Sequence, residues 1–178
     1  MNRTAAAIAM IVAFAGIVSA QAPAAPKPGP EHQQLSPFVG NWTFAGEMKP
    51  GPMGPGGKMT GTDRVQWMPG NFFVERRFEG TSPMGKMSGL EIIGYDTLKK
   101  TYTYTFVDSV GSMSSGTMKV SGDTWTTAGT GSMGGHAMQE RCTLAFGAGS
   151  TTLKISCEAS GDGSKWAPVM EGTATKAK

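Results

Sequence analysis

From Trp42 onward no stretch of the chain holds a helical period. Apolar and polar residues alternate in short runs, and Gly, Pro or Asp turn signals return every eight to twelve residues. Such a sequence has no helical stripe to bury and closes its core by pairing short antiparallel strands. About ten are expected, near 41–48, 58–68, 72–80, 86–95, 100–108, 112–120, 124–131, 135–146, 151–159 and 166–175. The fold class is all-β, an antiparallel up-and-down barrel. The one helix candidate is Glu31 to Val39, where Pro30 starts a short turn and Pro37 limits it.

The hairpins put residues in register. Read as a turn, Pro69-Gly70 sets Trp67 opposite Phe72, Val65 opposite Val74 and Asp63 opposite Arg76. A loop at Ser82 to Gly85 sets Val74 opposite Ile93, Phe72 opposite Tyr95 and Arg76 opposite Glu91. A loop at Asp96 to Lys99 brings Ile93 beside Tyr102 and Glu91 beside Tyr104. One face then carries Trp67, Val65, Asp63, Phe72, Val74, Arg76, Phe78, Glu91, Ile93, Tyr95, Tyr102, Tyr104, Phe106 and Asp108, and this is the interior. Gly122-Asp123 and Gly149-Ser150 suit type II′ turns. They pair Val120 with Trp125, Leu144 with Ile155, and Cys142 with Cys157.

Before the barrel the composition changes. Arg3, the apolar run Ala5 to Val18, and Val18-Ser19-Ala20 ahead of Gln21 form a secretion signal, with cleavage expected after Ala20. The run is short for a transmembrane span and no lipobox cysteine follows it, so no membrane anchor is expected. Residues 21–34 read as a flexible Ala/Pro-rich leader and 35–175 as one barrel domain. Removing residues 1–20 takes away Arg3 alone and leaves 15 basic and 13 acidic residues. A balance so near neutral gives no argument for nucleic acid or an anionic membrane, and no nucleic-acid partner is expected. A periplasmic or secreted monomer is expected, and in that compartment two cysteines facing each other on a hairpin read as a disulfide.

Val39-Gly40-Asn41-Trp42-Thr43-Phe44, Trp67-Met68-Pro69-Gly70-Asn71-Phe72, Glu79-Gly80, Gly94-Tyr95-Asp96 and Asp108-Ser109 occur in order. From about Glu31 to Thr175 the chain resembles the secreted bacterial family known as domain of unknown function 1579. The resemblance implies a lipocalin-like or nitrobindin-like barrel, architectures that bind small apolar molecules or haem. It carries over no catalytic residue. In a nitrobindin-like barrel one histidine ligates haem iron, which makes His136 the haem candidate, against a plainer reading as a solvated rim residue.

The strongest constellation is Arg76 between Asp63 and Glu91, with Tyr104 beside them. A guanidinium inside a barrel needs carboxylate partners, so the group reads as an ion-pair girdle or as the polar foot of a ligand pocket. Tyr102, Trp67 and Trp125 complete the expected ligand-binding set. Eleven methionines follow the signal; Met48, Met53, Met59, Met84, Met87, Met113 and Met133 are taken as adaptable packing residues at loop tips and rims, not as a metal site. No nucleophile elbow, HExxH, P-loop or metal-spaced His/Asp cluster is present, so the reading leans away from an enzyme and requires no cofactor. The leading expectation is a barrel that binds a small, mostly apolar molecule. The alternatives are a filled structural or envelope-stress barrel, a haem-binding barrel, and a barrel enzyme using the same carboxylates.

Overall fold

The computed structural model describes residues 25–51, 54–133 and 135–177. The expected signal peptide, the leader up to residue 24 and Met53 lie outside the described residues. Ten strands are present, each within two residues of its expected ends: β1 Gly40–Met48, β2 Gly57–Trp67, β3 Phe73–Ser82, β4 Gly85–Asp96, β5 Thr101–Asp108, β6 Met113–Ser121, β7 Thr124–Met133, β8 His136–Phe146, β9 Thr152–Ser160 and β10 Ala167–Lys176. Each pairs antiparallel with its chain neighbour, and β1 pairs with β10 from Trp42↔Lys176 to Met48↔Met170. The sheet is therefore a closed up-and-down barrel.

The inward face is the expected one, but two registers differ from expectation by two residues. Asp63 pairs with Phe78 and Val65 with Arg76, because Pro69-Gly70 is not a two-residue turn. Met68 N–H donates to Phe73 O and Asn71 N–H to Met68 O, with Gly70 and Asn71 both at positive φ (92° and 59°). Phe72 thus leaves the ladder opposite both Trp67 and Tyr95. On the next hairpin Ile93 pairs with Tyr104, Glu91 with Phe106, and Tyr95 with Tyr102. There Asp96 stays in the strand, because its Oδ1 accepts the N–H groups of Leu98 and Lys99 and moves the loop one residue on. A shift of two keeps side-chain parity, so no residue changes face.

The Arg76↔Glu91, Val74↔Ile93, Val120↔Trp125, Leu144↔Ile155 and Cys142↔Cys157 pairs stand as read from the turns, and Cys142 and Cys157 form a disulfide. Its rung is not of the hydrogen-bonded kind that a two-residue turn at Gly149-Ser150 implies. Gly147 N–H donates to Thr152 O, which widens the loop and inverts the ladder's phase. The cysteine Cα atoms accordingly stand only 4.1 Å apart. Gly149 and Ser150 both take positive φ, which excludes type II′.

The lower end of the barrel is plugged. Helix α1 (Pro30–Gln33) and a 3-10 turn (Ser36–Phe38) fold across it, so residues 30–34 belong to the plug and not to the leader. Leu35 and Phe38 are buried over Trp42, Val65, Val74, Ile93, Met118 and Trp125. Three hydrogen bonds hold the plug: Trp42 Nε1 donates to Phe38 O (2.8 Å), Tyr102 Oη to Glu31 O (2.9 Å) and Lys176 Nζ to Pro37 O (3.1 Å). His32 is buried beside Phe72 (5.1 Å) and Tyr95 (5.9 Å), edge to face.

Candidate functional site

Above this packed half the interior changes character. Glycine occupies inward positions on β1, β2, β3, β4, β6, β7 and β10, with Gly46↔Gly172, Gly61↔Gly80 and Gly116↔Gly129 as cross-strand pairs. Aromatic rings lie flat on this bare wall. A Cβ on Gly89 would meet the Phe78 ring at 2.3 Å, and one on Gly172 would meet Phe44 at 2.5 Å. The rings therefore cover backbone instead of filling the centre.

At the boundary between the halves sits a charged layer. Arg76 donates from Nε to Asp63 Oδ1 (3.0 Å), with Nη2 in ion-pair contact with the same oxygen at 2.9 Å, and from Nη1 to Glu91 Oε2 (3.1 Å). The Asp63 contact is diagonal, Asp63 being the rung partner of Phe78; the long guanidinium spans the offset. Burial would lower the Arg76 pKa, but the two carboxylates outweigh it and hold the group above its ordinary value. The guanidinium also lies 5.2 Å from the centre of the Phe78 ring, which stacks on Phe106 at 5.6 Å. Although it points inward, 30% of the Arg76 side chain is solvent-accessible, against 10% for Asp63 and 18% for Glu91.

Tyr104 belongs to the same layer, and its partner was not among the expected residues. Its hydroxyl donates to Glu140 Oε1 at 2.6 Å. The two stand on strands β5 and β8, yet Tyr104↔Gly116, Gly116↔Gly129 and Gly129↔Glu140 form one continuous rung. With two glycines between them the tyrosine lies across the wall and reaches the glutamate; a Cβ on Gly129 would stand 2.2 Å from the Tyr104 hydroxyl. Burial first, and then the hydrogen bond and charge of Glu140 and the charge of Glu91, push the Tyr104 pKa far above the ordinary 10.0. Tyr102 is raised too, chiefly by burial. Phenolate titration should therefore leave these two of the three tyrosines protonated past about pH 10. A pKa raised in the folded state contributes stability in full below about pH 10 and loses it as pH climbs toward the folded value. Tyr104→Phe is expected to show a shallower alkaline loss of stability, and an equal decline in both proteins would exclude this role.

Of the expected ligand set, Arg76, Asp63, Glu91 and Tyr104 come together in this layer. Tyr102, Trp67 and Trp125 lie in the packed half below. Tyr102 gives its hydroxyl to the plug, and Trp125 is buried against Phe38 (5.2 Å) and Tyr102 (4.8 Å). His136 is exposed at the first position of β8, on the upper rim. The other histidine, His32, is in the plug with Nδ1 accepting the Gly29 N–H. Neither lies beside the charged layer, so no histidine is placed to ligate a haem resting on it. Among the described residues no group of three or more His, Cys, Asp or Glu is arranged to hold a metal. Two shallow, open hollows on the outer wall, around Thr143, Lys154 and Glu171 and around Thr60, Glu79 and Lys86, contain none of these side chains.

Among the described residues no helix is long and apolar enough to cross a membrane. Comparison with curated proteins finds no match. Among solved structures the chain is similar to Rv2717c from M. tuberculosis, with TM-score 0.60 and 16% identity over 84% of this chain and 99% of that one. It is also similar to the S-type phycobiliprotein lyase CPES from Guillardia theta, with TM-score 0.53 and 14% identity over 85% and 99% of the two chains. At such identities the likeness concerns the fold alone. Residues 27–176 match the family described as protein of unknown function DUF1579, and the chain belongs to that family.

Proposed function

We propose that the protein binds a small, mostly apolar molecule in the upper half of its barrel, with the ligand's polar group resting on the layer of Arg76, Asp63, Glu91, Tyr104 and Glu140. The observation that carries this reading is the accessibility of Arg76: an inward guanidinium with 30% of its side chain free has space beside it. Phe78 and Phe106 give that space an apolar wall, and a few polar groups under an apolar wall suit ligand recognition. The S-type phycobiliprotein lyase CPES has a similar fold, which agrees with the reading without carrying it. The proposal calls for no haem or other cofactor. It places the protein in the periplasm or outside the cell as a monomer: an intramolecular disulfide persists in an oxidising compartment, and a closed sheet offers no edge for strand pairing.

Native mass spectrometry of protein exported and purified without denaturation tests this directly. The expected mass begins at Gln21 and carries an adduct that denaturation removes. A bare polypeptide mass, together with no adduct after incubation with a panel of apolar amines, alcohols and carbonyl compounds, would sink the binding role. The filled structural barrel would then be preferred, a reading supported by the fully packed lower half and by the satisfied Arg76 ion pairs. Turnover of an added compound would instead mark an enzyme.

A further inference from the structure

Met48 and Met59, expected at loop tips, stand in strands and face inward around the upper half, and a third methionine, Met170 on β10, flanks Met48 on the other side. Met48 pairs directly with Met170 across the β1–β10 seam. Lys49 N–H donates to Val169 O on the next rung, which makes Met48↔Met170 a rung of the closer, non-hydrogen-bonded kind. Met59 pairs with Gly46, and so sits diagonal to Met48 on the other side, within reach of a long side chain. The register of β10 shifts between Pro168 and Met170. This irregularity brings Met170 inward opposite Cys157, as bulges beside functional sites commonly re-aim a side chain. Met48 is buried, while Met59 and Met170 keep part of their surface accessible.

We propose that Met48, Met59 and Met170 form a thioether site for a soft monovalent cation, Cu(I) or its stable analogue Ag(I), at the mouth of the barrel. Thioethers are neutral, soft donors that favour such ions over Zn(II), which takes thiolate, imidazole or carboxylate. Both cysteines are tied in the disulfide, His32 is held in the plug at the opposite end, and His136, of inward parity opposite Met133, is exposed on the rim of a different strand, β8. Among the described residues the inward positions carry Asp63, Glu91, Asp108 and Glu140 against Arg76 and, at the plugged end, Lys176, an excess of negative charge that favours a cation at the mouth. The site stands apart from the ligand layer and does not depend on the binding role proposed for it.

The test is Ag(I) titration of the oxidised protein in chloride-free buffer, read by native mass spectrometry. The parent is expected to hold one silver ion and not to exchange it for added Zn(II). Met48→Leu/Met170→Leu loses that ion, and Met59→Leu alone weakens its retention, with far-UV circular dichroism unchanged in both. Met84→Leu/Met113→Leu, which alters two exposed methionines, retains it. Absence of stoichiometric silver on the parent overturns the site. So does retention of the ion by both Met48→Leu/Met170→Leu and Met59→Leu, or its loss from Met84→Leu/Met113→Leu.

Discussion

Replacing both cysteines by serine should lower the unfolding free energy by about 3 kcal/mol, the value the chain-entropy model gives for a loop of this size. The bridge joins residues 15 apart in sequence, on adjacent strands near the middle of the barrel. Thermal unfolding should shift down by roughly 10 °C for a domain of this size. Most of the loss comes from the greater freedom of the unfolded chain, so the folded variant should keep the parent's near-ultraviolet spectrum. A variant as stable as the parent would show that residual pairing between the β8 and β9 segments already restrains the unfolded chain.

Arg76→Met is expected to cost about 2 kcal/mol, less than the 3–5 kcal/mol of a fully buried broken ion pair because part of the side chain is accessible. The methionine replaces the stem but leaves Asp63 and Glu91 facing each other without the cation that each contacts at about 3 Å. Neutralising all three, as Arg76→Met/Asp63→Asn/Glu91→Gln, should restore most of the loss, since the destabilisation lies in the stranded carboxylates and not in missing volume. Denaturant unfolding of the three proteins decides it. A triple variant no better than the single would assign the cost to packing against Phe78. If the triple variant is stable yet loses the ligand adduct, the layer serves binding and not merely the fold.

The sequence made the barrel legible because every strand carries its own alternation and ends at a recognisable turn. Register was readable where two residues made the turn: Gly122-Asp123 aligned Val120 with Trp125. It slipped at Pro69-Gly70 and at Asp96, where side-chain and backbone hydrogen bonds, invisible to a count of turn residues, set the loop length. Both slips were even, so Arg76, Asp63 and Glu91 were still found together. Glu140 was missed for a different reason. Pairwise ladders reach only the next strand, and Tyr104 meets its partner three strands away. The signal was present in Gly116 and Gly129, but it becomes visible only when three registers are laid end to end. The short helical turn between Glu31 and Val39 was legible from Pro30 and Pro37, but its role as a plug was not, because Leu35 and Phe38 give no periodicity that names the surface they bury against.

The two ends of the described chain leave the barrel on the same side. The plug crosses the lower end, and the last residues return to it, where Ala177 N–H donates to Asn41 O and Lys176 Nζ reaches Pro37 O. A reporter, tag or surface linkage attached through either end would therefore hang from the sealed base and leave the opposite opening unobstructed. Immobilised in that way, the protein would present its mouth to solution in a uniform orientation.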